Sequence, residues 1–263
     1  MTETLFKLNS QNKIVAAAIH AGSYIRKEVG EIIGLNRNIL LHEEDPMTDH
    51  IAVLFDSFII QNTSRFEYDT NRPITSAVYQ KPQDCWGLEI YPDSIDSDIV
   101  LVSENKYREF YKQIDMFFNE LCKEHKQIFV WDIHSFNNRG RPDISHEHID
   151  NAVPDMCLGT SNTNPKFHDL FKEIANNITR EDYFGKRLSV AFNNPFPGGT
   201  FPRYLNANYD GKVIAFTLEI NKRIFMKSSE YRFDESDAII DLRALARLRE
   251  IIYNQSPLIN SNL

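Results

Sequence analysis

Cysteine is scarce in this sequence, which contains only Cys85, Cys122 and Cys157. An odd number of widely spaced cysteines, with no CxxC pair, argues against a disulfide framework and against a cysteine-ligated zinc site. Long hydrophobic runs are also lacking, so no segment is expected to span a membrane, and the first residues do not resemble a secretory signal. We therefore expect reduced thiols and a cytoplasmic location.

Basic residues are fewer than acidic ones, since the sequence contains 29 lysines and arginines and 37 aspartates and glutamates, for a formal net charge of −8. This balance argues against nucleic acid or an anionic membrane as a partner. It does not exclude a small anionic substrate, because a pocket can be locally basic in an acidic protein. The 263 residues contain no linker or internal repeat, so we expect one domain over residues 1–263.

Four nearly continuous apolar runs predict strands that are buried on both faces. They cover residues 13–20, 127–134, 187–192 and 212–220. Helical spacing of apolar residues occurs between and after these runs. Such alternation predicts an α/β fold, with a mixed, mostly parallel sheet flanked by helices.

Three helices are predicted from apolar residues that recur every three or four positions, over residues 103–126, 165–179 and 234–255. Ser103 is the expected N-cap of the first helix and Asn164 that of the second. A further helix is expected to begin at Asp49 and to continue to Phe58.

Polar side chains occur at the C-terminal ends of three predicted strands, where we find His20, His134 and Glu219. Ligands of α/β sheets bind at this edge, so these residues are expected to meet there. Asp132 points to the same side of its strand as His134 and could orient the imidazole, or it could cap a loop amide. Glu219 is either a catalytic base with a raised pKa or the partner of an arginine.

A carboxylate that could join the two histidines occurs in the segment HEEDPMTD, residues 42–49. Two histidines and one carboxylate with an open fourth position are typical of catalytic zinc. Asp49 is one candidate, although an acid there could also serve the N-terminus of a helix. The neighbouring residues that the sequence leaves open are His42, Glu43, Glu44 and Asp45.

Asn71 and Arg72 directly precede Pro73 in the segment RFEYDTNRP. A guanidinium held in a loop could grip a carboxylate in a bidentate manner. Equally, this arginine could be a solvated residue of a surface turn. The spacing alone does not decide between the two.

Seven segments occur in the order found in one known family: HAG, DPMTD, RFEYDTNRP, DIHS, PDMCLGT, NNPFPGG and LEINKRIFM. In these segments the chain resembles the N-formylglutamate amidohydrolases, from about His20 to Met226. The resemblance implies a zinc-carboxypeptidase-like α/β fold and hydrolysis of N-formyl or other N-acyl amino acids. A small anionic N-acyl amino acid is thus the expected substrate, and one zinc ion the expected cofactor.

The resemblance also implies roles for individual residues. His20, Asp49 and His134 would bind the metal, and Glu219 would be the general base. Asn71 and Arg72 would hold the α-carboxylate of the substrate. Further cations that could bind a second substrate carboxylate are Arg65, Arg139, Arg141 and Arg203. The alternatives are a zinc carboxypeptidase acting on peptides or cell-wall fragments, and a non-catalytic amino-acid-binding protein.

Overall fold

The computed structural model of the protein describes residues 2–137, 153–226 and 240–263. The strands of its central sheet are β1 Thr4–Lys7, β2 Ile14–Ala18, β3 Ser57–Gln61, β4 Ile128–Phe136, β5 Met156–Gly159, β6 Val190–Phe192 and β7 Val213–Asn221. These seven described strands lie in the spatial order β1-β3-β2-β4-β7-β5-β6.

The sheet is mixed, with a parallel centre. Strands β3, β2, β4 and β7 run parallel to one another. At one edge β1 is antiparallel to β3, and at the other β5 is antiparallel to β7 while β6 follows β5 in parallel. The predicted α/β class with a mixed, mostly parallel sheet is confirmed.

Helices cover both faces of this sheet. The helices are α1 Lys27–Gly30, α2 Arg37–Glu43, α3 Thr48–Ala52, α4 Ser97–Glu124, α5 His168–Arg180, α6 Thr200–Asn208, α7 Leu242–Tyr253 and α8 Ser256–Asn262. Successive residues of β2 show the two layers, because Ala16 packs with α3, α5 and α7 whereas Ala17 packs with α4 and α6. None of the described helices is long and apolar enough to cross a membrane.

Each of the four predicted strands corresponds to a strand of the sheet, but two expectations about burial and helicity were wrong. The run at residues 187–192 yields only the short edge strand β6, and its Phe192 is exposed. The helix expected from Asp49 to Phe58 ends at Ala52, and Phe58 belongs to β3. Phe58 and Ile59 pack into opposite layers, as residues of a strand covered on both faces do.

The predicted helices are present with shifted ends. Helix α4 begins at Ser97 with Asp96 as its N-cap, so Ser103 is a buried interior residue. Asn164 does cap the short 3₁₀ turn that leads into α5. Leu242 begins α7 and is 69% exposed rather than part of the apolar face. Residues 234–239 of the predicted last helix lie outside the described residues.

Candidate metal centre and active site

The C-terminal ends of β2, β4 and β7 bring together the three strand-end residues that the sequence predicted. His134 of β4 lies directly opposite Glu219 of β7 in the parallel register. His20 follows β2, which pairs with the other side of β4. The imidazole rings of His20 and His134 are 4.7 Å apart between centroids and meet edge to face. Parallel pairing therefore explains why residues far apart in sequence share one edge.

Asp45 supplies the carboxylate between the two histidines. Ligand atoms of His20, Asp45 and His134 all lie within 4.8 Å of one another, and all three residues are buried. Oδ2 of Asp45 is 2.8 Å from Nδ1 of His134 and 3.5 Å from Nδ1 of His20. This geometry brings two imidazole nitrogens and one carboxylate oxygen close together, as a metal site requires.

The structure does not place Asp49 in this group. Asp49 lies in the first turn of α3 and is half-buried. Asp45 precedes that helix, with its N–H donating to the carbonyl of His20 at 3.0 Å and its carbonyl accepting from the hydroxyl of Thr48 at 2.8 Å. The geometry thus favours Asp45 over Asp49 as the carboxylate beside the histidines, because the chain reaches them before α3 begins. In the described part of the chain, His42, Glu43 and Glu44 are not in the group either.

Each histidine is held from its outer side by a second buried carboxylate. Nε2 of His20 is 2.7 Å from Oδ1 of Asp69, and Nε2 of His134 is 3.0 Å from Oδ1 of Asp132. These contacts at Nε2 direct Nδ1 of each ring toward Asp45. With a metal bound, an Nε2–H donating to the carboxylate would leave the lone pair of Nδ1 for the ion, which is how metal-binding histidines are commonly oriented. The proposed orienting contact of Asp132 is thus present.

Nδ1 of His20 adds an independent sign that the donor set fits a cation. This atom is buried and has no hydrogen-bond partner among the described residues. A buried polar atom without a partner is costly, and most such atoms are satisfied by some group. A metal ion between the two Nδ1 atoms and the Asp45 carboxylate would satisfy it.

Asp69 was not singled out from the sequence, yet it joins His20 to the loop that carries Asn71 and Arg72. Its Oδ1 accepts from the backbone N–H of Asn71 at 2.7 Å as well as contacting His20. Its Oδ2 accepts from Arg65 at 2.8 Å and from the hydroxyl of Tyr79. The available signal was its position two residues before Asn71 in the segment YDTNR.

Arg65, which was predicted to bind substrate, is buried and already paired. Its guanidinium binds Asp69, lies 4.0 Å from Oδ1 of Asp45 and stacks 4.7 Å over the ring of Trp86. We infer that Arg65 mainly neutralises the acids around the histidines, because little of it remains accessible to a ligand.

The pKa values of Asp45, Asp69 and His134 are shifted by the charges of their neighbours. Burial opposes charge on Asp45, but the adjacent imidazoles of His134 and His20 outweigh it and hold the pKa of Asp45 below its usual value. Burial is likewise outweighed at Asp69, whose pKa is lowered by His20 and Arg65. For His134, the nearby Asp132 and Asp45 raise the pKa well above the usual value despite burial.

Glu219 behaves in the opposite way. Burial raises its pKa from 4.5 to about 7, and the charges of Asp45 and Asp132 act in the same direction against an opposing effect of His134. Among the described residues, no arginine or lysine nitrogen lies within ion-pair distance of its carboxylate. The arginine-paired interpretation of Glu219 therefore finds no support, and a pKa near 7 suits a proton acceptor at neutral pH.

Asn71 lies between His134 and the start of α6. Nδ2 of Asn71 is 3.5 Å from Nε2 of His134, and its Oδ1 accepts from the N–H of Phe201 at 3.0 Å. Gly199 packs so closely that a Cβ there would lie 2.0 Å from Oδ1 of Asn71. The glycine therefore allows the start of α6 to approach the Asn71 side chain.

Arg72 is half-buried, and its guanidinium lies 5.9 Å from the ring centre of Tyr79. Within the described ranges, no carboxylate is ion-paired to it, so its charge remains available to a ligand. Arg203 is exposed on α6 and contacts Oδ1 of Asn162 at 3.4 Å. Arg139 and Arg141 lie outside the described residues.

Solved structures share this fold. An N-formylglutamate amidohydrolase from Ralstonia eutropha JMP134 aligns with a TM-score of 0.74 at 14% identity, over 100% of both chains. A gene product of Agrobacterium tumefaciens aligns with a TM-score of 0.68 at 19% identity, over 99% of this chain and 97% of that chain. A metallo-carboxypeptidase from Burkholderia cenocepacia aligns with a TM-score of only 0.36 at 14% identity, over 99% of this chain and 61% of that chain.

Comparison with curated proteins gave no match. The sequence profile of the N-formylglutamate amidohydrolase family, in contrast, matches residues 12–226. This range is most of the chain and contains each residue of the buried group. The chain belongs to the N-formylglutamate amidohydrolase family and is an amidohydrolase.

Proposed function

We propose that the protein is a zinc-dependent enzyme that hydrolyses the amide bond of an N-formyl or other N-acyl amino acid such as N-formylglutamate. The observation that carries this proposal is the buried group of His20, Asp45 and His134, with both Nδ1 atoms directed inward. Family membership supplies the reaction class, and the donor set supports the metal.

His20, Asp45 and His134 would hold the ion through two imidazole nitrogens and one carboxylate. Zinc fits this set best, because two histidines and one carboxylate leave a position open for water or substrate. When bound, such an ion polarises the amide carbonyl and lowers the pKa of water toward about 7. Asp69 and Asp132 would keep the two imidazoles oriented.

Glu219 would move the proton. Its carboxylate accepts a proton from the attacking water while the water oxygen bonds to the amide carbon. The same proton then passes to the leaving nitrogen as the carbon–nitrogen bond breaks. The products are formate, or another small acid, and a free amino acid. A pKa of about 7 allows Glu219 both to take and to return the proton near neutral pH.

Arg72 would bind the α-carboxylate of the substrate, with Asn71 beside it. The available guanidinium of Arg72 can donate two hydrogen bonds at once to the oxygens of a carboxylate. Fixing this carboxylate positions the amide next to Glu219, and such positioning can lower a barrier by several kcal/mol. A small N-acyl amino acid satisfies both contacts.

The proposal is tested by metal analysis and turnover of N-formylglutamate with protein purified without a histidine tag. Asp45→Asn should lose both bound metal and activity, whereas its matched control Asp49→Asn should keep both. The reverse pattern would refute the ligand assignment. Cleavage of short peptides but not of N-acyl amino acids would instead indicate a carboxypeptidase, and binding without turnover by metal-loaded protein would indicate a binding protein.

A further inference from the structure

Lys222 is a buried cation that the proposed chemistry does not use. It directly follows β7, and only 5% of its surface is exposed. In the part of the chain that the structure describes, no carboxylate lies within ion-pair distance of its ammonium group. A buried ammonium without a counter-ion is costly unless its N–H groups are well bonded.

The ammonium instead bonds two backbone carbonyls. Nζ of Lys222 lies 2.6 Å from the carbonyl oxygen of His42 and 2.6 Å from that of Glu44. These carbonyls end helix α2, where the last carbonyl groups have no partner within the helix and the dipole favours a cation. A residue that follows β7 therefore caps a helix that precedes Asp45.

The segment capped by Lys222 is the one that places Asp45. Asp45 comes directly after Glu44, and its own N–H is bonded to the carbonyl of His20. On the other side, Lys222 lies three residues after Glu219 on the same chain segment. The capping contacts thus link the strand of the proposed base to the loop of the proposed carboxylate ligand.

We propose that Lys222 is a positioning residue, which holds residues 42–44 so that Asp45 meets the Nδ1 atoms of His20 and His134. This inference rests on the proposed function for its metal readout. Residues that orient metal ligands commonly change metal affinity 10–100-fold when they are removed. Lys222 holds this segment through the carbonyls of His42 and Glu44, and in the described part of the chain no hydrogen bond or ion pair joins its Nζ to His20, Asp45 or His134.

The test compares Lys222→Met with Lys222→Arg, which keeps donors for the carbonyls. Lys212→Met is a matched control, because Lys212 lies just before the same strand and its Nζ bonds the carbonyl of Cys122 at 3.3 Å. Cobalt(II) titration of the purified proteins reports affinity and, through the visible spectrum, coordination. Deuterium uptake by peptides covering residues 42–45 reports the segment without any metal.

Folded Lys222→Met should bind cobalt about 10–100-fold more weakly than wild type, with an altered spectrum and faster uptake at residues 42–45. Lys222→Arg should recover much of the affinity, and Lys212→Met should match wild type. Unchanged affinity and unchanged uptake in Lys222→Met would overturn the inference. If that variant does not fold, Lys222→Gln is judged by the same criteria. Wild-type protein that binds no cobalt would refute the proposed function, and deuterium uptake would then decide the role of Lys222 by itself.

Discussion

Replacing Glu219 with glutamine should remove a buried charge that destabilises the protein above neutral pH. In the folded protein the pKa of Glu219 is raised from 4.5 to about 7, chiefly by burial. Between these values the folded chain keeps a proton that the unfolded chain has lost. The free energy of unfolding contributed by this group therefore falls as the pH rises through that window.

The magnitude follows from the pKa difference. A rise from 4.5 to about 7 corresponds to about 3 kcal/mol, since each tenfold change in proton affinity is about 1.4 kcal/mol. Most of this loss, roughly 2.5 kcal/mol, should occur between about pH 5 and pH 8. Glutamine is neutral throughout, so Glu219→Gln should gain that much stability relative to wild type across the window.

Urea unfolding at about pH 5 and about pH 8 measures this change in stability, with metal-free protein and a chelator present. The quantity compared is the difference between variant and wild type, because other titrating groups then cancel. Glu28→Gln, which removes an exposed carboxylate of α1, is the control for a change in net charge. A difference for Glu219→Gln that is the same at both pH values would refute the raised pKa. The variant should also keep its metal while losing activity.

Three further substitutions test the surroundings of the site. Arg72→Lys should raise KM about tenfold or more while changing kcat less, because a lysine cannot make the bidentate contact. Asp132→Asn should weaken zinc binding about 10–100-fold in a competition assay with a chromogenic chelator, because it loosens His134. Gly199→Ala should raise KM and lower stability by about 1–3 kcal/mol in urea unfolding, since its Cβ would displace Asn71.

Controls for these variants come from the same chain. Arg108→Lys changes an exposed arginine of α4 that contacts Glu104 and should leave KM unchanged. Gly30→Ala should be tolerated, because its Cβ would meet nothing nearer than 3.9 Å. A wild-type KM for Arg72→Lys would contradict the contact between Arg72 and the substrate carboxylate. Full zinc affinity in Asp132→Asn would contradict the orientation of His134 by Asp132. Unaltered kinetics in Gly199→Ala would contradict the need for a glycine beside Asn71.

Strands β2, β4 and β7 and the edge at which they end could be predicted from the sequence, because buried strands leave long apolar runs. The parallel strand β3 was not, since its first residues were expected to be helical. His20, His134 and Glu219 ended three such runs, and parallel strands bring their carboxyl ends to one edge. The short strands β1 and β5 were not predicted. Each has four residues, which is too few for a clear pattern.

The choice between Asp45 and Asp49 could not be made from sequence, because it depends on where α3 begins. Met47 takes a left-handed conformation with φ 69° just before that helix, and this turn separates the two acids. Asp69 lies in a segment without regular structure, so no periodicity indicates its direction. Its contacts with His20 and Arg65 arise only when distant segments meet.

The most direct test of the metal centre is anomalous diffraction at the zinc edge from crystals of the zinc-loaded protein. We predict one peak within about 2.0–2.2 Å of Nδ1 of His20, Nδ1 of His134 and a carboxylate oxygen of Asp45. Coordination through Asp49, coordination through the Nε2 atoms, or the absence of a peak between the two imidazoles would contradict the assignment.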